Sequence, residues 1–264
     1  MRTVGWISIL CSFGFTLFPL SCPAEPSYSF GLWEASNGTF QVVVLTSSQV
    51  LLESEEPAET IPDPFEPVNR AFFKMNDKLY FWVFKPVATG YKAIAPQAVR
   101  VGLRNAFSNL TTPVRLVNCL LQAEFKGAGN EAVRFLLNST FGIAGFLDLA
   151  KRDFDIEKQD RDFGQTLGVW GIGPAFYIDW PVLGPSSLRD TAGLAGDLLL
   201  DPRTYLISSI WIDAAVWSAE KINGTSFRIG EYESLKEGAI DPYIALREAY
   251  HQYRQSRIRK VREE

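Results

Sequence analysis

Between Gly168 and Asp190 the chain reads GVWGIGPAFYIDWPVLGPSSLRD, an apolar and aromatic run broken by Gly168, Gly171, Gly173 and Gly184 and by Pro174, Pro181 and Pro185. Proline removes a backbone donor and glycine raises the entropic cost of order, so no long helix forms through this stretch. It is also too apolar for an ordinary surface loop. A tight, rigid, non-helical structure with internally paired backbone groups satisfies both constraints. Gly171 and Gly173, just before Pro174, are positioned to supply backbone angles that a side chain forbids.

Around this segment the periodicity is that of helices. Helical patterns occur at 97–107, 113–125, 129–140, 187–199, 205–222 and 241–262, with Thr112, Ser187 and Asp241 placed as caps. An earlier helix is read from DPFEPVNRAFFKMNDKLYFWVFKP, opened by Asp63, Glu66 and Pro67 and closed by Pro86. Val68, Phe72, Met75, Leu79 and Trp82 share one face of it, and Arg70, Lys74 and Lys78 another. Its second half, LYFWVF, is apolar all round. Two readings stay open: a buried central helix, or a helix in a membrane interface with Lys78 and Lys85 snorkelling to headgroups. With no alternating βα pattern, no strong hairpin series and no internal repeat, the fold class is mainly α.

The N-terminus reads as an export signal over residues 1–21: Arg2, then an uncharged, mostly apolar run from Val4 to Leu20, then Ser21 before Cys22. A small residue before a cysteine suits lipoprotein maturation, which makes Cys22 the candidate lipid anchor. Cleavage near Ala24 and an uncleaved anchor are the alternatives. Residues 22–61 read as tether and linker, holding a short β-prone run, TFQVVVL, and an acidic stretch, ESEEPAETIP. TFQVVVL fits either an edge strand or an extended tether. The third unit is the body, 62–264.

Charge and chemistry narrow the function. Residues 1–60 carry six acidic side chains and one basic, so the formal net charge of -4 leaves the body near neutral, without the basic field that nucleic-acid binding needs. Arg254, Arg257, Arg259, Lys260 and Arg262 gather at the C-terminus, as a solvated face or a headgroup or partner contact. Once the signal is removed with Cys11, Cys22 and Cys119 remain, which excludes a disulfide framework and makes Cys119 a small buried hydrophobe. No motif for a nucleophile, P-loop or metal is present, and His251, on a charged terminal helix, reads as a surface residue. In KRDFDIEKQDRDFG acidic and basic residues alternate as a salt-bridged surface does. The expectation is a protein with no catalytic site, metal or cofactor.

Four blocks in order, DPFEPVNRAFF, LLNSTFGIAGFLDLA, DFGQTLGVWGIGPAFYIDWPVLGPSSLRD and DPYIALREAY, strongly resemble the VacJ/MlaA family over about residues 62–253. The resemblance implies a ring-shaped bundle of amphipathic helices in the inner leaflet of a Gram-negative outer membrane, on its periplasmic face. It implies a lipoprotein that moves mislocalised phospholipid from the outer leaflet through a polar channel to a soluble periplasmic carrier, beside a trimeric porin. A non-catalytic envelope scaffold is the competing reading. On the transport reading, Phe72, Leu79, Trp82, Trp170 and Trp180 are the membrane-interface residues, with Tyr177 as a further aromatic anchor. The channel candidates are Asn118, Asn138, Arg115, Arg134, Arg189, Gly171 and Gly173. Asn118 and Asn138 serve equally as helix-to-helix hydrogen bonds, and the arginines as ordinary ion pairs.

Overall fold

The computed structural model describes residues 29–36, 39–45 and 60–263, and the chain divides into two compact units, Met1–Ala58 and Glu59–Glu264. The export signal, Cys22 and the acidic stretch up to Glu59 lie outside the described residues. In the first unit β1 (Ser29–Ser36) and β2 (Thr39–Leu45) pair antiparallel, with Ser36 opposite Thr39 and Ser29 opposite Leu45. TFQVVVL is thus a hairpin strand.

The second unit opens with α1 (Glu66–Leu79), which runs through a π-helical turn at Tyr80–Phe84 into α2 (Lys85–Ile94). Pro86 does not close this helix. A proline ring collides with the carbonyl four residues earlier. The wider turn just before Pro86, closed by Lys85 N–H on the Tyr80 carbonyl, lets helical backbone continue past it.

Then come α3 (Gln97–Leu110), α4 (Thr112–Leu121), α5 (Phe125–Thr140), α6 (Leu149–Phe154) and α7 (Phe163–Val169). Strands β3 (Tyr177–Trp180) and β4 (Gly184–Ser187) form an antiparallel hairpin. It is followed by α8 (Leu188–Leu200), α9 (Pro202–Leu206), α10 (Ile210–Thr225), α11 (Glu231–Gly238) and α12 (Pro242–Glu263). The fold is mainly α, and among the described residues no helix is long and apolar enough to cross a membrane.

Most of the helical periodicity is borne out, with physical exceptions. The pattern at 205–222 is two helices, because extended backbone at Ile207 and Ser209 breaks it. Ser187 caps α8 by accepting from Asp190 N–H, and Asp241 accepts from Tyr243 and Ile244 N–H at the start of α12. Thr112 is no cap: it lies inside α4, and its hydroxyl accepts from Arg115 instead. Helices α6, α7 and α11 have too few turns to leave a period in the sequence.

A small apolar cluster joins the ends of this unit. Ile61, Tyr177 and Tyr243 are buried together, with Phe73 and Tyr250 packed against them. His251, read from sequence as a surface residue, is buried on α12. Arg247 and Arg254, four residues before and three after, share its face, and that face points inward because both arginines are paired with carboxylates of other elements.

Candidate functional site

Elsewhere the interior is polar. Among the described residues twenty buried side chains are polar or charged and nine are apolar, while many large apolar residues lie on the outside. A water-soluble domain buries its apolar groups and rarely buries arginine or glutamate unpaired. Here most of the buried charges are paired.

Glu131, Arg134 and Asn138 lie on one face of α5, spaced three and four residues apart. Glu131, fully buried, accepts from Arg115 of α4 at 2.8 Å and from Gln159 N–H at 2.7 Å. Arg115 spends its remaining donors on the Ser108 carbonyl and the hydroxyls of Thr111 and Thr112. Arg134 donates to Asp148 at 2.8 Å and to the Ile156 carbonyl. Asn138 donates to Asp148 at 2.9 Å and accepts from Ala150 N–H at 3.0 Å. Burial alone would raise the Asp148 carboxyl, but the hydrogen bonds from Arg134 and Asn138 outweigh it and hold the group below its ordinary value.

A second set links α4, α7 and α8. Asn118 donates to Asp197 at 2.9 Å and accepts from the Thr166 hydroxyl at 2.8 Å, and Gln122 donates to the same hydroxyl. Burial and the neighbouring Asp162 push the Asp197 carboxyl up to about 6. In a third set Arg254 of α12 binds Asp162 and Asp190, and Arg189 donates to Asp190 at 2.9 Å. Asn118, Asn138, Arg115, Arg134 and Arg189 therefore all sit in hydrogen-bonded interior sets, with Asn118 and Asn138 each tying one element to another. Cys119, also buried, has its thiol pushed up to about 12 by its surroundings. The stretch KRDFDIEKQDRDFG is ion-paired, Lys151 to Asp155 and Lys158 to Asp160 among others.

The glycine and proline run folds as a clamped hairpin. Asn69 accepts from Asp179 N–H at 3.0 Å and donates to the Tyr177 carbonyl at 3.2 Å. Asn76 accepts from Val182 N–H at 2.7 Å and donates to the Trp180 carbonyl at 2.9 Å. Each side-chain amide meets a carbonyl and the N–H two residues on, as a neighbouring strand would. The edge of β3 is satisfied by α1, where the two asparagines are two turns apart. Sequence reading missed both. Their only signal was a spacing of seven on a face that also carries charges.

Between the strands the Leu183 N–H bonds the Pro181 carbonyl at 2.8 Å across Val182, whose φ is +68°. This is a γ-turn of the strained, positive-φ kind, held by the Asn76 bond to Val182. Gly171 has φ +92° and needs glycine; Gly173 does not, since its φ lies outside the left-handed region and a Cβ there would meet open space. The expectation of a forbidden backbone angle at Gly173 is therefore corrected: the positive φ sits two residues on, at Ala175. Asp179, buried beside the clamp, is pushed up to about 6 by its burial, against one hydrogen bond from Asn76.

The interface candidates are spread over the outside. Trp82 and Trp170 are exposed, and Trp180 is partly so; the indole N–H of Trp170 donates to the Leu121 carbonyl at 3.0 Å and that of Trp180 to the Thr191 hydroxyl at 2.9 Å. Phe72 and Leu79 are half-buried. Lys85 is held by Glu233 at 2.8 Å, and Lys78 lies over the Trp82 ring.

Comparison with known proteins agrees with this architecture. Residues 61–257 match the family model for the MlaA lipoprotein. The Shigella flexneri intermembrane phospholipid transport system lipoprotein MlaA is 33% identical over 72% of this chain and 76% of its own. An uncharacterised Rickettsia felis protein is 31% identical over 74% and 78% respectively. A chain solved in work on the structural basis for maintenance of bacterial outer membrane lipid asymmetry superposes with a TM-score of 0.67 at 32% identity, covering 74% of this chain and 98% of that one. The chain belongs to the MlaA lipoprotein family.

Proposed function

We propose that this protein is a non-catalytic outer-membrane lipoprotein that removes mislocalised phospholipid from the outer leaflet and so maintains lipid asymmetry. The lipid passes through a polar channel in a ring of helices and is handed to a soluble periplasmic carrier, beside a trimeric porin. The protein sits at the periplasmic face of the membrane, anchored by acylated Cys22. Phe72, Leu79, Trp82, Trp170 and Trp180 meet lipid, and Asn118, Asn138, Arg115, Arg134, Arg189, Gly171 and Gly173 build the channel wall.

One observation carries this reading: the polarity is reversed relative to a soluble domain, with ion pairs inside and large apolar residues outside. Such a body satisfies its backbone and charges internally and leaves its apolar surface for acyl chains. The phospholipid transport named for the Shigella relative supports the same substrate class. The test is the phospholipid content of the outer leaflet in a deletion strain. It rises on this reading, and unchanged asymmetry would favour an envelope scaffold instead.

A further inference from the structure

The ion pairs of the interior make one group of cations stand out. Arg100 of α3 is only 7% exposed, and its Nη1 donates to the Ser226 hydroxyl at 3.1 Å and to the Ser226 carbonyl at 3.4 Å, while its Nε has no acceptor among the described residues. Its guanidinium lies 4.9 Å from the centre of the Phe227 ring, and that of Arg104, one turn further along α3, lies 4.7 Å from the same ring. Arg228 follows Phe227 in the chain; the Lys221 ammonium, over the Trp217 ring, is pushed down by burial and, to a smaller degree, by the Arg228 charge.

No side chain of Arg100, Arg104, Lys221 or Arg228 is within salt-bridge distance of a carboxylate among the described residues. The carboxylate that acts on Lys221, Glu220, is bonded to Arg203 at 2.8 Å. The carbonyl end of α10 offsets part of this positive charge, but it provides no anion. Elsewhere in the molecule the buried arginines 115, 134, 189 and 254 each have a carboxylate. Four clustered cations without one are arranged for an anion from outside the chain, and an arginine fork suits a phosphate.

The length of α10 says where that anion lies. Its first turn is strongly exposed and apolar, with Ile210 at 78% and Trp211 at 82%, and Leu206 before it is similarly bare. Lys221 is ten residues beyond Trp211, which is about 15 Å along a helix axis. The hydrocarbon of one leaflet, half of a core about 30 Å thick, has the same depth. When the apolar end of α10 lies at the middle of the bilayer, its cationic end lies at the phosphate level.

We propose that Arg100 and Arg104, which face the Phe227 ring, together with Arg228, which follows it in the chain, and Lys221 near the end of α10, form a binding site for the phosphate of a phospholipid headgroup. The site rests on the reading of this protein as a phospholipid handler, and it gives that reading a fixed contact point for the lipid before or during transfer. The bond made is non-covalent, from guanidinium and ammonium donors to the non-bridging phosphate oxygens, with the acyl chains along the exposed start of α10.

The full-length protein, purified in a phosphate-free maltoside, is titrated with dihexanoyl-phosphatidylglycerol, with dihexanoylglycerol and with inorganic phosphate. Arg104 and Arg228 are exposed, so the double variant Arg104→Gln/Arg228→Gln keeps the fold, which an unchanged thermal midpoint checks. The phosphatidyl lipid should bind at least tenfold more tightly than the diacylglycerol. The double variant should lose at least tenfold for the phosphatidyl lipid and nothing for the diacylglycerol, and Arg152→Gln, on a distant surface ion pair, should change neither. Equal binding by wild type and double variant overturns the site. Inorganic phosphate binding as tightly as the lipid overturns the headgroup as its source. Unchanged lipid asymmetry in the deletion strain, with lipid binding lost in the double variant, would remove the transport reading and leave the site standing.

Discussion

Two interiors coexist in the second unit, and they are held together by different forces. The cluster of Ile61, Tyr177 and Tyr243 is aromatic and apolar, with ring edges meeting faces 6.0 Å apart between Tyr177 and Tyr243, as in an ordinary soluble core. The region of α4, α5 and α6 is held by Arg115, Glu131, Arg134, Asn138 and Asp148. Apolar burial tolerates small losses by degrees, whereas a buried ion network fails as a unit because each removed partner strands another charge. The lesson is that this unit joins Ile61 near its start to Tyr243 near its end by hydrophobic packing and holds α4, α5 and α6 by charge pairing.

The sharpest way to break the contrast is Glu131→Ala, which leaves the buried Arg115 without a carboxylate and takes from Arg134 its more distant partner at 3.9 Å, Asp148 remaining. Loss of one partner from a buried pair costs about 3–5 kcal/mol, so the thermal midpoint of the detergent-solubilised protein should fall steeply. Glu131→Gln should fall less. A small shift for Glu131→Ala would show that water reaches these arginines.

Next in size is Asn76→Ala, which leaves the Val182 N–H and the Trp180 carbonyl without their partners. With the bond to Asp179 also gone, three bonds are lost, two of them exposed to water, for a cost of about 2 kcal/mol with the aromatic cluster intact, and hydrogen exchange should quicken at Val182 before it does in α5.

The two regions should also answer pH with opposite signs. Asp179 titrates in the folded protein near 6, above its unfolded value, so the folded state binds the extra proton between about 4 and 6. Its destabilising effect is absent below that window and grows as pH rises through it, reaching about 2–3 kcal/mol above pH 6. Asp148, held low by Arg134 and Asn138 against its burial, does the reverse: its stabilisation is present above pH 4 and is lost as pH falls through its folded value. Asp179→Asn should therefore raise stability at pH 7 by about 2 kcal/mol and flatten the pH profile between 4 and 6. Equal slopes for wild type and variant would count against a buried, ionised Asp179.

The smallest effect concerns the turn. Val182→Gly removes the strain of a β-branched residue at φ +68° but frees the unfolded chain, for a net gain of about 0.5–1 kcal/mol in thermal denaturation.

These contrasts were unevenly visible in the sequence. The long helices left clear periods, Asn118 and Asn138 could be singled out because polar groups inside apolar runs are costly, and Arg115, Arg134 and Arg189 as donors for a phosphate or an ordinary ion pair. Their partners could not be named: Arg115 meets Glu131 across two helices, and Asn118 meets Asp197 after 79 residues. His251 was misplaced because the arginines on its face, Arg247 and Arg254, point inward to carboxylates that are distant in sequence. Asn69 and Asn76 were passed over because an asparagine between Arg70, Lys74 and Lys78 looks like part of a solvated face. Pro86 was read as a stop because one-residue widening of a helix has no sequence signature beyond the proline itself.

That widened turn at Tyr80–Phe84 also keeps time for the long helix that contains it. The exposed apolar residues Val68, Met75 and Trp82 are seven apart, Val87 comes five later, and Ile94 comes seven after that. A uniform α-helix turns about 100° per residue, so a step of five in place of four would swing everything after Trp82 round to another side. The extra residue taken up by the π turn restores the angle, and one apolar meridian runs unbroken from Val68 to Ile94. Deleting Val83 or Phe84 therefore brings the step from Trp82 to Val87 back to four and leaves a regular helix with the same apolar meridian, whereas forcing the intact sequence into uniform α geometry points the second half the wrong way.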